Sequence, residues 1–456
     1  MRGQSGSISS PQDDNLVETA SYTYKVLLGL SYSFAHYTKA MIKKSPIALA
    51  ALILALGTAS VSVLPVTAQA QTAEEKAKKE VIRSEWSKPY TEIQKLIGEK
   101  QYQAALEKVA ALDASDKKTD YEVFFLHRTR AAIASGMGDN VALAKSFDAM
   151  IGSEFLPPAD KLRFMEGMAG TFYNLKQYAE SQVWTKRYLA ANPSNTMMQD
   201  LMVQNYYLAD DFTNALKEVK AQVASDEQAG KVPDEKRLRL LHGSAMKLKD
   251  IDSSTQALEL LVKYHPTKEY WADLMYRLIS KQGFSDRLRL DWYRLMLANE
   301  NLEDDTQYME MAEIALLAGL PLEAKNIVDA AYKAGYFGKG KNAAKHKPLQ
   351  DKANKQAADD AKTLDAGEAA AKATKTGLAM TNMGYNFVTY GQYERGIALI
   401  EAGLAKGGLK YPEEAKLHLG IAYHKAGNKA KAAEVLKTVQ GNDGAVELAR
   451  YWTYMK

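Results

Sequence analysis

Apolar residues along this chain recur every three or four positions in short runs, and the runs come in pairs joined by a turn. The clearest pair is LHLGIAYHKAGNKAKAAEVL from Leu417. Leu419 and Gly420 sit side by side, Tyr423 follows three residues after the glycine, Gly427 marks the turn, and Ala432 and Leu436 lie on the next run. That periodicity predicts two amphipathic helices rather than strands. Gly420 lets one backbone approach another, Tyr423 fills the space beyond it, and Ala432 is small where the second helix crosses the first. A bulky residue at either small position is expected to overpack the contact by about 1–3 kcal/mol.

The same grammar returns upstream. Met383, Gly384, Phe387, Gly391, Tyr393, Gly396 and Ile400 repeat it, with Gly384 preceding Gly420 by 36 residues. Met168, Ala169, Phe172, Tyr178, Ser181, Thr185, Tyr188 and Pro193 form another unit. The next, with Met202, Val203, Tyr206, Phe212, Ala215 and Val219, follows 34 residues later. Weaker units run through Leu96, Tyr102, Ala105 and Val109; through Ala131, Ala132, Ser135, Val141 and Ala144; and through Leu241, Ala245, Ile251, Ser254, Leu258 and Pro266. Two more use Trp271, Leu274, Leu278 and Phe284, then Met311, Ala312, Ala315, Gly319, Pro321, Ala324 and Val328. Taken singly, each weak unit also fits an irregular amphipathic helix pair.

Together these stretches resemble the tetratricopeptide repeat (TPR). The resemblance implies an all-α fold, a right-handed superhelical solenoid of about nine helix-turn-helix units with a C-terminal capping helix. One such helix pair cannot bury its apolar face alone, so neighbours must stack and the last unit needs a cover. AVELARYWTYMK at the C-terminus supplies one: Val446, Ala449 and Trp452 are expected to cover the last unit while Arg450 and Lys456 face water.

Composition agrees with an elongated array. The 456 residues are 46% apolar and 25% charged, with 12 prolines, and the net charge of +4 gives no global pointer to nucleic acid. There is no cysteine, so disulfides and thiolate metal sites are excluded.

The segment from Met41 to Ala70 has Lys43 and Lys44, an apolar run from Ile47 to Leu56, and Ala68 and Ala70 around Gln69. This is a signal-peptide layout with cleavage expected after Ala70, which implies a periplasmic or secreted protein. The alternative is an inner-membrane anchor through 47–66, since those 20 mostly apolar residues are enough to span a bilayer. These readings divide the chain into a non-structured extension or mis-assigned start at 1–40, the signal peptide at 41–70 and a linker at 71–85. There follow an array of about seven units at 86–337, an Ala/Lys-rich helical insertion at 338–376, two further units at 377–441 and the capping helix at 442–456.

The insertion accounts for a 72-residue gap between Ala312 and Gly384, where about half is expected. Its lysines, Lys339, Lys341, Lys345, Lys347, Lys352 and Lys355, with His346, read either as the solvated face of a helix or as a basic projection toward anionic lipid, polysaccharide or an acidic partner. GYFGKGKN from Gly335 nearly spells a phosphate-binding loop. Asn342 stands where a Ser or Thr would hold magnesium, and the loop follows a helix, so no nucleotide is expected.

No catalytic constellation appears. The seven histidines include no pair at i, i+4 beside a glutamate, and no nucleophile elbow or acid pair is recognisable. The expectation is therefore a non-catalytic protein without cofactor or metal. In TPR arrays the first helix of each unit lines the concave face, and carrying that register over selects Arg163, Glu166, Tyr173, Asn174, Gln204 and Tyr207, then Lys236, Arg239, Met246, Lys247 and Tyr276. Aromatic faces, amides and cations suit an extended peptide. The same tyrosines also fit a packing role between helices. The set does not reproduce the two-carboxylate clamp of chaperone-binding family members.

The resulting function is an envelope scaffold binding a protein or peptide in the concave groove. The alternative is an envelope accessory factor touching lipid or polysaccharide through the basic insertion. A signal peptide, a long repeat array and a Lys/Ala-rich insertion together resemble, in layout only, the secreted repeat proteins that accompany TonB systems in Gram-negative bacteria.

Overall fold

Where the apolar stripes run, helices form and pair. The computed structural model describes residues 81–455, and these contain 21 α-helices, two short 3-10 turns and no strand. The signal peptide, the anchor reading and the segments before residue 81 lie outside the described residues. The chain divides into two compact units between Gln222 and Val223.

In the first unit the pairs are α1 (Ser87–Gly98) with α2 (Tyr102–Asp113), α3 (Asp120–Met137) with α4 (Asn140–Ile151), and α5 (Pro158–Asn174) with α6 (Tyr178–Ala191). A fourth joins α7 (Thr196–Leu208) to α8 (Phe212–Gln228), which carries the division. Thr119 and Glu122 close a reciprocal capping box at the start of α3, and Arg83 clamps the Glu122 carboxylate at 2.7 and 2.8 Å. From α3 to α7 the core is continuous across the repeats: Phe147 of α4 stacks on Phe164 of α5 at 4.4 Å, and Met168, Trp184 and Leu201 extend the same cluster. Stacking of neighbours thus buries what a single hairpin leaves open.

The second unit contains α9 (Glu235–Lys247) with α10 (Ile251–Tyr264), α11 (Lys268–Ile279) with α12 (Arg289–Ala298), and α13 (Asp305–Leu317) with α14 (Pro321–Lys333). Then come α15 (Ala343–Ala361) and α16 (Leu364–Ala373), α17 (Leu378–Thr389) with α18 (Tyr393–Lys406), α19 (Pro412–Lys425) with α20 (Lys429–Leu436), and α21 (Ala445–Trp452). All nine sequence units fall on helix pairs. Phe284 is an exception in detail, because it lies in the loop before α12 rather than on the helix.

Turns between paired helices place one residue in the left-handed region, at Lys100, Gly138, Lys176, Asp210, Lys249, Gly283, Gly319, Gly391 and Gly427. Four of these are not glycine, and they sit in the first, third, fourth and fifth pairs. Glycine meets that geometry without a Cβ clash, whereas lysine or aspartate is held in it by the packed helices on either side.

Close backbone approach occurs, but not where Gly420 led one to expect it. A Cβ on Gly384 would lie 2.7 Å from the Gly396 carbonyl oxygen, so α17 and α18 touch main chain to main chain. At Gly420 the neighbour is the Leu436 side chain, 2.4 Å from such a Cβ. The glycine there makes room for a leucine.

Segment 338–376 supplies one further pair of helices, which explains the doubled spacing. The stripe His346, Leu349, Ala353 and Ala357 is buried where α15 packs back on α13 and α14. Leu364 and Ala371 of α16 join Met380 and Phe387 of α17 instead. The apolar stripes of the two inserted helices therefore pack on different neighbours, although Asp360 and the Ala357 carbonyl of α15 also accept hydrogen bonds from Asn386 and Tyr390 at the end of α17.

The second unit closes on itself. An open solenoid leaves each repeat touching only the next, yet the last helices here return to α10, to the loop between α11 and α12, and to α12. The Ser285 N–H donates to the Asp443 carbonyl at 2.9 Å, and Phe284 packs against Gly444. Leu448, Ala449, Tyr451 and Trp452 are buried and Val446 is half-buried, as a capping helix requires. Arg450, expected to face water alone, reaches Glu259 of α10 at 2.7 Å.

Candidate partner-binding surface

In the first unit, the helix-A register brings together only part of the selected set. Tyr173 near the end of α5 is buried, and its hydroxyl donates to Gln204 Oε1 of α7 at 3.1 Å, linking successive repeats. Burial pushes the Tyr173 phenol up to about 12. Tyr207, one turn beyond Gln204, stands edge-on to Phe212 at 5.3 Å, and its hydroxyl is buried with no hydrogen-bond partner. Burial, and then the nearby Asp210 carboxylate, raise that phenol as well. Arg163 and Asn174 are exposed on the same helix as Tyr173, with Arg163 held 3.4 Å from Asp160; Glu166 is half-buried. Both tyrosines therefore pack between helices, and exposed Asn174 follows Tyr173 on α5.

The same register extends upstream to α1 and α3. Tyr90 of α1 sits edge-on to Phe125 of α3 at 4.5 Å, and the Arg128 guanidinium lies 5.1 Å over the Phe125 ring. Counting back from the turn residues Lys100 and Gly138 identifies these positions. Without a glycine at Lys100, that turn is hard to see in sequence.

In the second unit, Lys236, Arg239, Met246 and Lys247 all lie on α9 and Tyr276 on α11. Lys236, Lys247 and Tyr276 are exposed. Met246 is half-buried, and its sulfur accepts from the Arg277 guanidinium at 3.2 Å. Arg239 is half-buried with its Nε unpartnered, close to Tyr270, whose hydroxyl donates to Glu235 at 2.7 Å.

Deeper in that unit lies a polar cluster that no sequence spacing signalled. Arg294 of α12 grips Glu323 of α14 through two bonds of 2.8 and 2.7 Å and Asp291 through a third of 2.6 Å. Its guanidinium lies 4.4 Å over the Tyr385 ring of α17, and His418 of α19 bonds Asp291 at 3.0 Å. Burial pushes the Asp291 carboxyl up, but His418 and Arg294 outweigh it and hold the group at about 2. Burial likewise opposes ionisation of Glu323, and Arg294 reverses it. Side chains from four repeats therefore fill the interior, where an open superhelix would present a groove.

The basic segment is less uniform than its sequence. Lys339, Lys341, Lys345, Lys347, Lys352 and Lys355 are exposed. Lys347 pairs with Asp351, and Lys355 lies 3.8 Å from Asp359. His346 departs from the expected cluster: it is fully buried, stacked on Phe337 at 4.1 Å, accepts from the Gly338 N–H at 3.1 Å and faces Asp305 at 3.2 Å. Gly335, Gly338 and Gly340 form a left-handed loop after α14, not the strand-to-helix turn of a phosphate site. Among the described residues there is no acidic or histidine cluster arranged to hold a metal ion, and no helix is long and apolar enough to cross a membrane.

No family model matches this chain, and no curated protein matches it. Solved structures that are similar include the TPR2AB domain–pHSP90 complex of yeast Sti1, at 13% identity and a TM-score of 0.23 over 65% of this chain and 100% of that one. Naa15/Naa10 bound to HypK-THB is 14% identical, with a TM-score of 0.26 over 80% of this chain and 64% of that one. Yeast Tom70 is 10% identical, with a TM-score of 0.18 over 80% of this chain and 93% of that one. Likenesses this distant carry no functional argument. The helix pairs and their turns by themselves make this an all-α, TPR-like helical-repeat protein.

Proposed function

We propose that the chain is a non-catalytic scaffold of the bacterial envelope that holds a protein or peptide against the helix-A faces of its repeats. The observation that carries this reading is the Tyr173–Gln204 bond, which joins successive helix-A positions next to exposed Asn174, with exposed Arg163 nearer the start of the same helix. Rigid aromatic groups beside adaptable amides and a cation are what an extended polypeptide needs. The α9 set, Lys236, Arg239, Met246 and Lys247, offers a second polar and cationic face of the same kind. The lipid or polysaccharide reading has less behind it, because Lys347 and Lys355 have carboxylates of their own and His346 is inside.

The envelope assignment rests on the signal-peptide layout of 41–70, and service to a TonB-type machine on the overall layout alone. Mass spectrometry of the mature chain is expected to find Gln71 at its start; a chain retaining Ile47 contradicts secretion. A photo-crosslinker at Asn174 should give protein adducts that one at Val183, exposed on α6, does not. Equal yields from the two positions reject the concave face as the partner site.

A further inference from the structure

Helix α12 is enclosed more completely than any other helix among the described residues. Its seven consecutive residues from Leu290 to Met296 are all buried, and no other unbroken run of buried residues exceeds five. A helix turns once in about 3.6 residues, so such a run leaves it without a solvent face. Asp291, Trp292, Tyr293 and Arg294 point about 100° apart around the axis, and each bonds a different helix. Asp291 bonds His418 of α19 at 3.0 Å, and the Trp292 Nε1–H donates to the Met275 carbonyl of α11 at 2.8 Å. The Tyr293 hydroxyl donates to Glu310 of α13 at 2.8 Å, and Arg294 holds Glu323 of α14 at 2.8 Å. Two of the four carry charge, which enters such an interior only when paired. Asp291 and Arg294 pair with each other at 2.6 Å as well as with the helices around them.

Toward its neighbours in sequence α12 behaves in the opposite way. The pairs on either side, α9 with α10 and α13 with α14, pack closely along their length, whereas α12 touches α11 and α13 only sparsely. In a stacked array a helix is held by its hairpin partner and the next repeat. Here Glu323 and His418 hold α12 from 29 and 127 residues away. That is how a groove holds a bound helix, by anchor side chains read from several walls.

We propose that the second unit is a receptor for a helix and that α12 is its ligand, supplied in cis. The ligand class is a short helix with a carboxylate and a guanidinium three positions apart and two aromatic residues between them. α12 is then separable from the repeats that enclose it, and an identical helix supplied in trans takes its place. The site shares no residue with the α5 and α7 surface, so each reading stands or falls without the other.

Recognition sites for a specific protease, inserted after Gln282 and after Glu303, allow α12 to be cut free from the folded full-length chain, since both positions are exposed. A dye-labelled peptide of residues 283–303 is then followed by fluorescence anisotropy, and circular dichroism reports the helices. The excised segment should co-elute with the cut chain and exchange for the labelled peptide, while the chain without it keeps its helices at a lower melting temperature. A peptide carrying Asp291→Ala and Arg294→Ala should bind about a hundredfold more weakly. Uncut protein, filled in cis at high effective concentration, should bind the unaltered peptide at least about a hundredfold more weakly than cut protein does. Loss of helical signal when the segment leaves, equal binding of the altered peptide, or equal binding to uncut protein overturns the proposal. A second variant needs no insertion: full-length Trp292→Ala with Arg294→Ala should gain binding of the labelled peptide, and no gain overturns the proposal equally.

Discussion

The Arg450 guanidinium bonds Glu259 at 2.7 Å across 191 residues of sequence. A chain of stacked hairpins has no need of such a contact, because its stability is a sum of local pair and neighbour terms. Its presence marks the second unit as a closed body with a filled interior.

That interior makes Arg294 the most sensitive polar position. Arg294→Met leaves Glu323 buried without its bonded cation and Asp291 with His418 alone, and such uncompensated charge costs about 3–5 kcal/mol. Thermal unfolding followed by circular dichroism should show the second unit melting markedly earlier. An unchanged profile would mean that Arg294 is not bonded as described.

Asp291 sets a pH dependence of definite sign. Its carboxyl ionises at about 2 in the folded chain against an ordinary 3.8. The stability it contributes is therefore complete above about pH 3.8 and is lost as pH falls through about 2. Asp291→Asn should lower stability at neutral pH and flatten the acid limb of the melting curve between those values. A parallel acid limb in the variant would count against an ionised Asp291.

Tyr385→Phe removes a buried hydroxyl that has no partner while keeping the ring beneath Arg294. Stability of the second unit is expected to rise by about 1 kcal/mol. Calorimetry that finds a clear loss instead would show that the hydroxyl is hydrogen-bonded.

The two repeat glycines should behave differently. Gly384→Ala drives a methyl into the Gly396 carbonyl and should cost about 1–3 kcal/mol, with no side-chain change able to relieve it. Gly420→Ala meets Leu436, so pairing it with Leu436→Val should recover part of the loss. Additive effects in that double variant would remove Leu436 as the cause.

At the proposed partner surface, Gln204→Ala with Asn174→Ala should reduce recovery of partner in pull-downs several-fold without lowering the melting temperature by more than a few degrees. Full recovery would argue against the Tyr173–Gln204 edge as the binding face.

Helical hairpins were legible because their apolar period and small crossing residues are local signals. The units with Lys100 and Lys249 at the turn were among the weak ones, since a lysine held in a left-handed turn carries no glycine to announce it, whereas the units with Lys176 and Asp210 there were legible from their apolar phase. The 72-residue spacing was visible, but the division of labour between α15 and α16 depends on which neighbour each buries against. His346 looked basic by type and became a core residue because Phe337 and Asp305 enclose it. The Arg294 cluster was invisible for a stronger reason. Asp291 and His418 lie 127 residues apart, and only closure of the unit brings them together.

Zero-length carbodiimide cross-linking of the full chain at low salt, read by mass spectrometry on the monomer fraction, tests that closure most directly. It joins only amines and carboxylates in contact, and Lys108 with Glu92 in the first unit provides a control pair. A cross-link between Lys281 and Glu447, 166 residues apart, is predicted. The control pair appearing without Lys281–Glu447 would contradict a closed second unit.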